Sequence, residues 1–126
     1  MKMKILSASI AAAFLMAGCG SSGAEDVAYA MCELAKKGDV QGMKKYAEPE
    51  FAQALEQVDV MLQAALATDF GKSEFEKNIA LLKDVNCKET TKIADIDATT
   101  KSVSNHKTSQ VFVLKRINNE WKVTAE

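Results

Sequence analysis

The spacing of apolar positions changes once along the chain, and the change divides it into a helical half and a strand half. Over residues 25–37 they fall at Val27, Met31, Leu34 and Ala35, one face of a helix with Cys32 at its edge. Gly38 follows where a left-handed residue ends a helix, and Asp39 can cap the next start. Val40, Met43 and Ala47 describe a short second helix that stops before Pro49, because the residue preceding a proline is pushed out of helical backbone. The strongest stripe is Phe51, Leu55, Val58, Leu62 and Ala65, which predicts a long core helix over residues 50–67. Residues 68–72, with Gly71, read as a break. Ser73 and Glu76 then have capping-box spacing ahead of Phe75, Ile79 and Leu82, predicting a fourth helix that ends near Asp84.

From Cys87 onward β-branched residues accumulate, and residues 90–98, 108–117 and 120–125 read as strands. Asn118-Asn119 suits a two-residue hairpin turn, since Asn tolerates positive φ. That turn pairs Ile117 with Glu120, Leu114 with Val123 and Phe112 with Ala125, and it sets Trp121 on the same face beside Arg116. The opposite face carries Lys115, Lys122 and Thr124, so the apolar face packs on the helices. The turn around residues 104–107 leaves two registers. A two-residue loop at Asn105-His106 puts Asp95 and Asp97 on the Phe112 face, whereas a three-residue loop puts Ile96 and Ala98 there. The second is expected, because burying unpaired carboxylates is costly. The fold class is α+β, with N-terminal helices packed on a C-terminal antiparallel sheet.

The front of the chain follows a different logic. Lys2 and Lys4 give a positive start, and residues 5–17 form an uncharged, largely apolar run. The run is shorter than the roughly 20 residues of a membrane-spanning helix and fits the core of a signal peptide. Leu15-Met16-Ala17-Gly18-Cys19 resembles the lipobox of bacterial lipoproteins, with Met16 in the place usually held by Leu. The resemblance implies cleavage before Cys19 and acylation of its thiol. Two or three acyl chains, at about 0.8 kcal/mol per buried methylene, make release from a bilayer very slow. The expected division is a signal peptide over residues 1–18, a lipidated Cys19 and flexible tether over 19–24, and a single α+β domain over 25–126. In lipoproteins of diderm bacteria an Asp after the Cys is the retention signal for the inner membrane, so Gly20 in that place implies the periplasmic face of the outer membrane; the alternative is a Gram-positive surface.

Removing residues 1–18 takes Lys2 and Lys4 but no acid, which moves the formal charge from −1 to −3. A mildly acidic domain without a basic stripe is unsuited to nucleic acid, whose binding depends on neutralising phosphates. With Cys19 assigned to lipid, Cys32 and Cys87 remain as one pair in an oxidising compartment. A disulfide between them would close a loop worth about 4 kcal/mol by chain entropy. The alternative is two buried free thiols.

Two further stretches carry a resemblance. One is Val27-Ala28-Tyr29-Ala30 through Ala35-Lys36-Lys37-Gly38-Asp39-Val40, followed by Met43 and Tyr46. The other is the closing Val113-Leu114-Lys115-Arg116-Ile117-Asn118-Asn119-Glu120-Trp121-Lys122-Val123. Together they are similar to the opening and the final hairpin of small bacterial lipoproteins with a cystatin-like or nuclear-transport-factor-like fold, many of unknown function. The resemblance covers about half of the mature domain and implies a sheet and helices that can enclose a cavity.

Chemistry is sparse. His106 is the only histidine, so no Ser-His-Asp, Cys-His or multi-histidine metal site can be assembled. Asp95 and Asp97 lack the acid-rich loop and Gly of a calcium site. Trp121 reads as core, and Met31, Met43 and Met61 as packing residues. No catalytic, metal or cofactor residue is assigned. The leading expectation is a non-enzymatic envelope module, held to the membrane by its N-terminal lipid and binding an envelope protein or a small ligand. The alternative is a hydrolase or isomerase that uses carboxylates in a cavity between sheet and helices.

Overall fold

The computed structural model describes residues 23–124. Residues 1–22, on which the expected signal peptide, the expected lipidation at Cys19 and most of the expected tether fall, and residues 125–126 lie outside the described residues. Helix α1 runs over Gly23–Lys37, with Glu25 and Asp26 in its first turn and Lys36 and Lys37 in its last, each complementing the helix dipole. It begins two residues before the expected start at Glu25. Gly23 and Ala24 are its first two residues, and Ala24 is part of the core. Gly38 closes the helix at φ 69°, with its N–H bonded to the Ala35 carbonyl and that of Asp39 to the Leu34 carbonyl. These two bonds make a Schellman cap. A Cβ on Gly38 would also lie 2.4 Å from the Phe75 ring.

Asp39 caps α2, Val40–Met43, by accepting from the Gly42 N–H, and a 3-10 turn over Lys44–Tyr46 follows. Ala47 then forms a parallel bridge to Val123, and the Glu48 N–H bonds to the Val123 carbonyl. Helix α3, Pro49–Leu66, starts from that fixed point, with the Glu48 carboxylate capping the Glu50 and Phe51 N–H groups. Helix α4 spans Asp69–Leu82 and is capped by Thr68, not by Ser73. The Ser73–Glu76 spacing thus lies inside the helix, and the break shrinks to the corner at Ala67 and Thr68. The corner is tight: a Cβ on Gly71 would lie 2.1 Å from the Ala65 carbonyl oxygen. A short helix α5, Cys87–Thr90, leads into the sheet.

The sheet has four strands, β1 Lys92–Asp97, β2 Thr100–Asn105, β3 Gln110–Ile117 and β4 Glu120–Thr124, in an antiparallel meander ordered β1-β2-β3-β4. The last hairpin matches expectation, with Asn118 and Asn119 both at positive φ, Leu114 opposite Val123 and Arg116 opposite Trp121. Strand β2 was not expected. It stands between the two segments that the sequence pattern paired, and only Val103 along it is a buried apolar residue. The expected three-residue loop register is overturned as well. Ile93 and Asp95 share the face of Val103 and Phe112, while Ile96 is 58% exposed on the other face. Asp95 escapes the desolvation penalty because it stays exposed and pairs with Lys101.

The core joins α1 to the inner face of the sheet through Val27, Ala28, Met31, Val103, Phe112, Leu114, Trp121 and Val123. A smaller cluster of Val40, Ala47 and Leu55 adjoins it, and Met43 and Phe51 pack against both. Along the expected stripe on α3, Leu55 is buried, Phe51 and Leu62 are partly buried against the core, and Val58 and Ala65 are exposed, so α3 joins the core through part of its stripe and not along its length.

Candidate functional site

Four elements and the turn between β2 and β3 converge on an apolar cleft at one end of the inner sheet face. Met31 and Ala35 lie four residues apart on α1 and so share a helix face. Phe51 and Leu55 repeat that spacing on α3, and Met43 on α2 stands between the two helices. Strand β3 contributes Gln110 and Phe112, two residues apart on one face. The cleft measures about 350 Å³, and among the described residues no ionisable side chain lines it.

Its polar rim is tied to the scaffold. The Gln110 side-chain amide donates to the Met31 carbonyl at 3.2 Å, and its carbonyl accepts from the Thr108 hydroxyl at 3.0 Å. Ser109, at the crest of the β2–β3 turn, has φ 60°. A second cavity, of about 430 Å³, opens on the other side of this crest against Lys92, Ser104, Asn105 and His106, and shares Ser109, Gln110 and Val111 with the first.

The turn between the cavities is held by Asn105, which is buried. Its side-chain oxygen accepts from the Lys107 and Thr108 N–H groups at 2.9 and 3.1 Å. Its side-chain nitrogen reaches the Thr90 and Thr91 hydroxyls at 2.8 and 3.0 Å and the Cys32 sulfur at 3.4 Å. Cys32 is joined to Cys87 by a disulfide, with the Cα atoms 5.8 Å apart. The Lys36 ammonium adds a bond to the Val85 carbonyl at 2.8 Å. Disulfide and amide together lock α1, α5 and the β2–β3 turn around the cleft's end of the molecule. The Asx-turn half of Asn105 is the kind of local bond an Asn beside a turn announces. Its contacts with Cys32 and α5 arise only from the tertiary fold.

The remaining sequence candidates fall elsewhere. Cys19 lies outside the described residues. His106 is an exposed turn residue at the second cavity. Asp95 and Asp97 do not act together, because a register shift between them sends Asp95 to Lys101 and Asp97 to the Thr99 N–H at 2.9 Å. That backbone bond, joined by the Thr100 hydroxyl, holds the Asp97 carboxyl below its usual range. A hydrogen bond from Lys44 does the same for Glu56. Both groups are exposed and away from the cleft. Trp121 is a core residue with the Lys101 ammonium 5.6 Å from its ring centre, and its indole N–H has no hydrogen-bond partner among the described residues.

Among the described residues no cluster of three His, Cys, Asp or Glu side chains could hold a metal ion, and no helix is long and apolar enough to cross a membrane. No curated protein and no solved structure matches the sequence. The family described as "Domain of unknown function (DUF4878)" matches residues 17–124, which takes in the whole described fold, and the chain belongs to that family.

Proposed function

We propose that this protein is a non-enzymatic binding module of the cell envelope, held by acyl chains on Cys19 at the periplasmic face of the outer membrane, which receives an apolar group in the cleft. The cleft carries the reading. Small-molecule sites are concave, mostly apolar and furnished with a few fixed polar groups, and this one combines such walls with a Gln110 rim fixed to α1. Helices followed by an antiparallel meander also support a cystatin-like or nuclear-transport-factor-like fold, although fold alone does not fix function.

A carboxylate-using hydrolase would need an acid on the cleft wall, with its pKa raised by burial. The two carboxylates whose ionisation is perturbed are exposed and held more acidic, which counts against that alternative. The anchor adds a direction. Gly23 lies against Trp121, at the end of α1 opposite the cleft. With only Gly20, Ser21 and Ser22 between it and Cys19, that end stays near the bilayer. The cleft residues Met31 and Ala35 lie about 12 and 18 Å along α1 from that end.

The test uses the full chain, isolated from membranes of cells fed an alkyne fatty acid. Label is expected on the wild type and not on Cys19→Ala; label persisting in the variant would defeat the anchor. Native mass spectrometry of the same material is expected to show an apolar small molecule that is lost from Ala35→Phe, whose added ring fills the cleft. A molecule retained by the variant would have to sit elsewhere.

A further inference from the structure

Resting on the cleft reading, we propose that the ligand is a monoanionic amphiphile, with its apolar chain in the first cavity and its anionic group in the second, beside Lys92 and His106. The two cavities are separated only by the ridge they share, Ser109, Gln110 and Val111. They differ in charge: among the described residues no charged side chain lines the first, and the second holds Lys92 and His106 and no acid. A molecule spanning the ridge therefore meets an apolar wall at one end and positive charge at the other.

The charge is uncompensated. Lys92 is exposed and makes no ion pair among the described residues. On its face of the sheet, its neighbours in register are Ser104 and then Val111, both neutral. An anion arriving there displaces no existing partner. The ridge itself suits a molecule that crosses it. Val111 is 85% exposed, which continues the apolar surface over the crest. The Ser109 hydroxyl makes no hydrogen bond among the described residues, and its residue is held at positive φ, a conformation that costs a non-glycine residue about 1 kcal/mol or more. Residues kept in such conformations cluster at ligand clamps.

Three probes with the same short chain separate the possibilities: hexanoate, hexanol and hexylammonium. They are titrated into the full chain, isolated from membranes and held in phosphatidylcholine nanodiscs, with methionine methyl NMR as the readout. Met31 and Met43 line the first cavity, and the exposed Met61 reports binding outside it. Hexanoate is expected to move the Met31 and Met43 signals with about fivefold higher affinity than hexanol, the upper range for an exposed ion pair. Hexylammonium should be the weakest, and Lys92→Gln with His106→Gln should reduce hexanoate to the level of hexanol. Equal affinities for all three probes, or a preference for hexylammonium, would overturn the anionic head group and leave the apolar cleft standing. If none of the three moves either cleft methionine, the cleft reading itself falls.

Discussion

Two hairpins dominate the molecule, and they make a useful contrast. The β3–β4 hairpin and the α3–α4 hairpin each join two elements through a tight corner, and each carries a regular apolar stripe. In the first, the stripe is covered by α1: Leu114 and Val123 are fully buried. In the second, only Leu55 is buried; Leu62, Phe75 and Ile79 are partly buried, Met61 is 72% exposed and Leu81 78%, and Phe70 is exposed as well. Periodicity states which face of an element is apolar. Whether that face is buried depends on what is laid against it, and beyond its base the helical arm is only partly covered. That base, Phe51 and Leu55, is also a wall of the cleft, so the well-packed body and the uncovered arm meet at the candidate site.

The contrast can be broken first at the disulfide. Replacing Cys32 and Cys87 together by Ala is expected to lower stability by about 4 kcal/mol in urea denaturation, because the closed loop constrains the unfolded chain. A loss of less than about 1 kcal/mol would show that the non-covalent lock around Asn105 suffices. Leu114→Ala should cost about 3 kcal/mol through the cavity it leaves, whereas Met61→Ala should stay within about 0.5 kcal/mol. Similar losses at the two sites would remove the distinction between body and arm. Asn105→Ala should cost about 2 kcal/mol and accelerate amide exchange at Lys107 and Thr108, whose N–H groups lose their acceptor.

The smallest effect is electrostatic. The folded-state pKa of Asp97 lies below its ordinary value of 3.8, so the ionised carboxylate stabilises the fold above that value. The contribution is lost as the pH falls through the lower, folded-state value. Wild-type stability should therefore decline on acidification more steeply than that of Asp97→Asn. Parallel curves would show that the Asp97 turn adds nothing to the β1–β2 corner.

What could be read in the sequence tracks how local its cause is. The Schellman cap at Gly38, the Asp39 cap and the Asn118-Asn119 turn each depend on a few adjacent residues, and all three were legible. The last hairpin's register followed from its turn. Strand β2 was hidden because Thr100-Lys101-Ser102-Val103-Ser104-Asn105 is mostly polar and owes its place to β1 and β3 on either side. The Thr68 cap was obscured by the Ser73–Glu76 spacing, which fits a cap equally well in isolation. The Cys32–Cys87 pair could be inferred by elimination, yet its contact with Asn105 could not. Met31, Met43, Phe51, Leu55 and Phe112 were each legible as apolar stripe or packing residues, but nothing local says that their four elements leave a gap between them.

The central claim is that this gap, and not the exposed arm, receives the ligand. Hydrogen exchange on the full chain, with and without saturating hexanoate, tests it most directly. Exchange is expected to slow in the first turns of α3 and at the start of β3, with α4 unchanged. Protection confined to α4 and the outer half of α3 would contradict it and move the binding surface to the uncovered stripe.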